Sequence, residues 1–354
     1  MKFTLTHQLP PSAGNPRNSE GAFIRGKDGE ILFAYSRYRG NDISDHASCD
    51  VALIKSFDEG LTWSEPEIIA RASDFGVENI MSVSAVIQNN DDIGFYFLIM
   101  ETDLSSSLGR AVSSDGESFT VERCERKFPR NYYVINNDRI VRLCDGRLAA
   151  PAAYRPSEFN TEELHKNIPS TMTCLLSDDD GKSFYKADFD YTSKDRVNMK
   201  YGYQEPGAIE REDGIYMWAR TNYGCQYEAL FTESFETLEV PHASEFTSPP
   251  SPMQIKWIGG AAYAVYNPIP RYNGRVSAEG TRDRTPFVLR KSNDAISFGK
   301  LNVIEDDPSR GYCYPALFGT NDGHILIAYC RGDAKDGNTL CRLGIARIEI
   351  ASIE

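Results

Sequence analysis

Polar side chains recur at one kind of place in this 354-residue chain, the opening of apolar, β-rich stretches. Glu20 opens the stretch to Arg25, Asp138 and Arg139 the stretch to Leu143, Glu205 the stretch to Arg211, and Tyr314 the stretch to Gly319. A carboxylate ahead of Pro206-Gly207-Ala208-Ile209 needs a partner or a purpose, because an unpaired buried charge is costly. Carboxylates, a guanidinium and a phenol converging on one spot could bind a polar ligand and move protons. The plain alternative for Glu205 is a structural ion pair with Arg220.

Convergence requires a repeated scaffold, and the chain carries two repeats. Ser56-Phe57-Asp58-Glu59-Gly60-Leu61-Thr62-Trp63 reads Ser-x-Asp-x-Gly-x-Thr-Trp. Ser177 to Phe184 keeps that spacing, Ser113 to Phe119 and Ser292 to Phe298 are each one residue short, and Thr232 to Phe235 is a trace. In this box the Asp accepts backbone N–H bonds, Gly supplies a positive φ, and Thr and Trp start the next strand. The box is structural. The acidic run at 177–181 lacks the alternating ligands of a calcium loop.

The second repeat is a Gly- or Asp-based turn followed by an apolar run. It occurs at 28–29, 91–92, 145–146, 213–214, 259–260 and 322–323, a period of about 59 residues shared with the box. Six units at one period predict an all-β, six-bladed β-propeller in a single domain over 1–354, the last blade closed by Phe3–His7 and Leu343–Ile350. Two stacked sandwiches would not hold a constant period. Innermost strands of a propeller run the same way along the axis, so their first residues meet at one mouth. Long connections at 155–172 and 267–284 are expected to rim that mouth, with a helical turn at Glu162-Glu163-Leu164-His165.

Composition narrows the partners. A net charge of −13 argues against nucleic acid or an anionic membrane. A small anionic ligand stays possible, since it answers to local Arg groups. Eight Cys lie scattered without C-x-x-C spacing and are expected to be buried thiols. With no leader-like apolar segment at the N-terminus, a cytoplasmic location is expected. No Cys/His cluster suggests a metal, and no cofactor is expected.

The boxes and the segments around the polar ring resemble the sialidase (neuraminidase) superfamily across nearly the whole chain. Glu205 to Arg220 is similar to the segment that carries the family's catalytic Glu and, a hairpin later, an Arg of its substrate-binding triad. Arg284-Thr285-Pro286-Phe287 resembles the segment of another triad Arg. Tyr314 sits where the family keeps its catalytic Tyr, with Tyr312 as a rival two residues away. Asp45, ahead of the first box, sits where the acid/base Asp is kept, with Asp50 as its rival. The resemblance implies a retaining exo-glycosidase acting on a terminal, sialic-acid-like sugar. A neutral Tyr nucleophile beside Glu205 would avoid repulsion by a substrate carboxylate. Arg220 and Arg284 would grip that carboxylate, and Arg139 is a further cation of the ring.

One segment departs from the family pattern. Where an Arg-Ile-Pro opening is usual, this chain has Arg17-Asn18-Ser19-Glu20, with Asn18 in the Arg register and Glu20 in place of Pro. Either Arg17 reaches the site through a shifted turn, or Glu20 makes a pocket for sugar hydroxyls. The second case implies a neutral sugar and a Glu20/Glu205 carboxylate pair. A third reading is a propeller that binds glycans or proteins without catalysis.

Overall fold

A computed structural model gives an all-β propeller and describes residues 1–102, 104–156, 168–195, 197–269 and 277–354. The helical turn expected at 162–165 lies outside the described residues, as do parts of both long connections. Five sheets are regular and four-stranded. Their inner strands are Asn18–Arg25, Ile80–Ile87, Gln204–Arg211, Gln254–Ile258 and Cys313–Gly319.

The expectation of a six-bladed propeller is corrected: five regular blades form, and the unit between 125 and 192 departs from the blade pattern. It is a seven-stranded sheet in which Glu125–Lys127 pairs parallel with Ser183–Lys186. Its axial strand, expected over 138–143, shrinks to Val141–Arg142. Residues Asn137 to Arg139 bond to other sheets instead of continuing a ladder. The sheet holding Leu343–Glu349 takes Phe3–Leu9 as its outer strand, so both chain ends share one unit.

Apolar side chains fill the seams between neighbouring sheets. One cluster joins Ile24 and Val51 of the first sheet to Ile80 and Phe97 of the next. Another joins Phe23 and Phe33 to Leu326 and Ile345 of the sheet that carries both termini. Trp63 of the first box packs at this last seam, its Nε1 donating to the Gly60 carbonyl at 3.2 Å. A Cβ on Gly60 would come within 2.6 Å of Leu326, so the box turn sits hard against the neighbouring sheet.

The box chemistry is as local as its spacing suggests. Asp58 Oδ1 accepts from Ser56 Oγ (2.9 Å), Leu61 N (3.1 Å) and Thr62 N (2.8 Å), and Oδ2 accepts from Thr62 Oγ1 (2.5 Å). Asp179 repeats the pattern with Ser177 and Ser183. In the shorter copies, backbone N–H donors hold the Asp115 and Asp294 carboxyls down at about 2. The six turns of the second repeat all contain a positive φ, from Gly29 (91°) to Gly323 (81°). Both repeats therefore build the scaffold rather than the site.

Candidate active site

The site is assembled from one irregularity used repeatedly. Four inner strands carry a β-bulge near their first residues, where the register skips between Ser19 and Ala22, Met81 and Ser84, Gln204 and Gly207, and Cys313 and Ala316. The first bulged residue has a positive φ in every case: Glu20 (53°), Ser82 (60°), Glu205 (47°) and Tyr314 (56°). Asp138, at the matching place in the irregular sheet, has φ 56°. None is glycine, so each is strained, and such strain concentrates at functional sites. The bulge turns these side chains out of the pleat toward the axis.

Two of them meet. Tyr314 Oη donates to Glu205 Oε1 at 3.0 Å, and Arg220 Nη1 donates to the same oxygen at 2.8 Å. Gln204 pairs with Arg220 across the hairpin, which places the guanidinium beside the bulge. Glu205 Oε2 is buried and has no partner among the described residues. Burial pushes the Glu205 carboxyl up, but Arg220, Arg284 and the donated hydrogen bonds outweigh it and hold it below its ordinary value. Burial and then the Glu205 charge push the Tyr314 phenol well up, so it stands as a neutral donor. Glu205 also lines a cavity of about 60 Å³ together with Tyr132, Tyr154, Arg155 and Gln204.

The other carboxylates gather on Arg17. Its guanidinium lies over the Tyr38 ring (4.3 Å), donates to Asp45 Oδ1 at 2.6 Å and Glu20 Oε2 at 3.0 Å, and also bonds Ser19 Oγ and the Ile43 carbonyl. Arg17 thus reaches the site region through a shifted turn, while Asn18 points to the Leu9 and Pro10 carbonyls. It is 1% exposed and fully engaged. Ser82 Oγ donates to Glu20 Oε1 at 3.3 Å, linking two bulges. Burial, the largest influence, raises the Glu20 carboxyl despite Arg17. Asp45 goes the other way: burial raises it, but Arg17 dominates and the carboxyl is lowered. Its side chain is 61% exposed, which suits a group that must reach a ligand.

Other expected residues fall elsewhere. Tyr312 is fully buried, stacked with Phe287 at 6.1 Å, and precedes the bulge that aims Tyr314 at Glu205. The strand begins at Cys313, so the two tyrosines do not share a face. Tyr312 is therefore a core residue. Asp50 bonds Arg39 and the Ala72 N–H in a structural role. Arg139 bonds Gln254 Oε1 through Nη1 and the Met253 carbonyl through Nη2 and lies over Trp218 at 5.6 Å, so protein groups occupy both terminal nitrogens, while its buried Nε has no partner among the described residues. Arg284 is fully buried, 5.4 Å from the centre of the Tyr314 ring, and its charge helps to lower the Glu205 carboxyl.

Sequence reasoning missed Ser82 and Asn137. Asn137 Nδ2 donates to the Gly21 carbonyl (2.9 Å) and the Tyr314 carbonyl (3.3 Å), pinning two bulges from a third sheet. Asp138 accepts from Leu317 N (3.0 Å) and Lys256 Nζ (2.7 Å), joining further sheets across the axis. Register within the repeat was the available signal for Ser82. Nothing local marks Asn137. A larger cavity of about 430 Å³ lies along the axis beside Asp138, Ile140, Lys256 and Trp257, but its walls include none of Glu20, Glu205 and Tyr314.

The propeller, with a Tyr–Glu–Arg cluster at its bulged mouth, has the fold seen in solved sialidases. The chain belongs to the family described as the BNR repeat-like domain, which matches residues 27–327. Among solved structures it is similar to a protein of unknown function from Dyadobacter fermentans, at 14% identity and a TM-score of 0.71, covering 98% of this chain and 99% of that one. It is also similar to the NanB sialidase of Streptococcus pneumoniae, at 15% identity and a TM-score of 0.71, over 99% of this chain and 71% of that one. An intramolecular trans-sialidase from Ruminococcus gnavus aligns over 98% and 97% of the two chains, at 13% identity and a TM-score of 0.66. At these identities the likeness concerns the fold. No curated protein sequence matches the chain.

Proposed function

We propose that this protein is a retaining exo-glycosidase of sialidase type, with Tyr314 as nucleophile, Glu205 as its base and Asp45 as acid/base. The observation that carries the reading is the 3.0 Å hydrogen bond from Tyr314 to Glu205. In the first step Tyr314 Oη bonds the anomeric carbon and its proton passes to Glu205. The bond to the leaving oxygen breaks, and that oxygen takes the Asp45 proton. In the second step Asp45 removes a proton from water, water oxygen bonds the anomeric carbon as the bond from that carbon to Tyr314 Oη breaks, and the released Tyr314 oxygen recovers its proton from Glu205.

The sugar is best read as terminal and acidic, held by Arg220, whose side chain is 15% exposed. A specific observation favours a second reading. Arg17 is neutralised by Glu20 and Asp45, and Arg284 is buried, so few cations remain for a substrate carboxylate, and a neutral sugar needs none. Release of aryl alcohol from an aryl α-sialoside, beside neutral aryl glycosides, separates the two. Turnover of the sialoside supports the acidic sugar, turnover of a neutral glycoside alone supports the second reading, and silence on every glycoside sinks both.

A further inference from the structure

Arg284 carries a charge that is poorly matched by its surroundings. It is fully buried, its Nε has no partner among the described residues, and Nη2 reaches the Pro250 carbonyl only at 3.4 Å. The close contact is to sulfur: Nη1 donates to Cys313 Sγ at 3.0 Å. A neutral thiol is a weak acceptor, and a buried guanidinium without a counter-ion is strongly destabilising. Glu205, the carboxylate beside Tyr314, is already bonded to Arg220 and Tyr314. We propose that Cys313 ionises against Arg284, and that the thiolate is the counter-ion holding this guanidinium beneath the Tyr314 ring, which makes Cys313 a positioning residue.

The surroundings fit that assignment. Cys330 stands directly opposite Cys313 on the neighbouring strand, and both thiols are fully buried beside Leu340 and Tyr314. Burial pushes the Cys313 thiol up, but a hydrogen bond from Cys330 and the Arg284 charge outweigh it and leave it below its ordinary value. Cys330 is pushed well up and remains the donor. Glu205 opposes ionisation of Cys313, and Glu20 and Arg17 act in opposite senses on Cys330. The other cysteines, Cys49, Cys124, Cys144, Cys174, Cys225 and Cys341, are all raised. One thiolate is therefore expected against a background of seven thiols.

The test is the ultraviolet band of the thiolate in the folded protein, followed from about pH 5 to about pH 8. The wild type is expected to hold one thiolate at neutral pH, Cys313→Ser to lack it, and Cys330→Ala to gain it at higher pH than the wild type. Identical spectra for wild type and Cys313→Ser would overturn the proposal. Should Cys313→Ser not fold, the wild type decides alone: absorbance rising only above the ordinary thiol range overturns it. The kinetic arm rests on reading Tyr314 as the reactive phenol. There Cys313→Ser should lower kcat about tenfold with KM little changed, since a charge-assisted bond becomes a neutral one. A raised KM with unchanged kcat would overturn the positioning role. A thiolate signal in a protein that cleaves no glycoside would sink the glycosidase reading and leave the ion pair standing.

Discussion

Tyr314 and Glu205 share one 3.0 Å hydrogen bond although 109 residues separate them in the chain. Both occupy the positive-φ position of a β-bulge, so the contact depends on two strained residues aimed at each other by different sheets. Tyr314→Phe keeps the ring over Arg284 and removes the nucleophile. Its kcat/KM on the preferred aryl glycoside should fall at least about 100-fold, with the urea midpoint close to the wild type. Near-wild-type turnover would exclude Tyr314 as nucleophile.

Asp45 is held ionised by Arg17, which makes the free protein short of a general acid as pH rises. The profile of kcat/KM against pH should therefore lie toward acid, with its falling limb below the ordinary Asp range. Arg17→Gln removes the cation and should move that limb to higher pH. A limb that does not move would dissociate Asp45 from proton donation.

Glu20 makes the opposite prediction for stability. Its folded carboxyl is raised above the unfolded one, so the folded state holds the proton more tightly. The stability from this group is full below the unfolded value and is lost as pH rises through the folded value. Glu20→Gln cannot ionise and should flatten that loss, read as urea midpoints from about pH 4 to about pH 7. Parallel curves for the two proteins would show that Arg17 cancels the effect of burial and leaves Glu20 at its unfolded value.

Asp58 tests the scaffold independently of the site. Asp58→Ala removes the acceptor of four hydrogen bonds in the first box. Stability should drop by about 1 to 3 kcal/mol in urea unfolding, with KM little changed. An unchanged midpoint would mean that the Gly60 and Trp63 packing alone fixes the turn.

The sequence by itself determined the scaffold, because its signals are local. The Ser-x-Asp-x-Gly boxes close on their own backbone, and the Asp-Gly turns need only a positive φ next to β-rich runs. Their common period was enough to place Glu20, Glu205 and Tyr314 near the starts of axial strands. What lay beyond the sequence depends on contacts between sheets. Tertiary structure brought Tyr314 rather than Tyr312 to Glu205, because the bulge after Cys313 takes up Tyr314 while Tyr312 packs against Phe287. It also turned Arg17 onto Glu20 and Asp45, bound Arg139 to Gln254, and gave the axial strand before Leu143 to Asn137 and Asp138 as cross-links. A side chain's partner on a neighbouring sheet is fixed by how the ring closes, and no spacing along the chain encodes that closure.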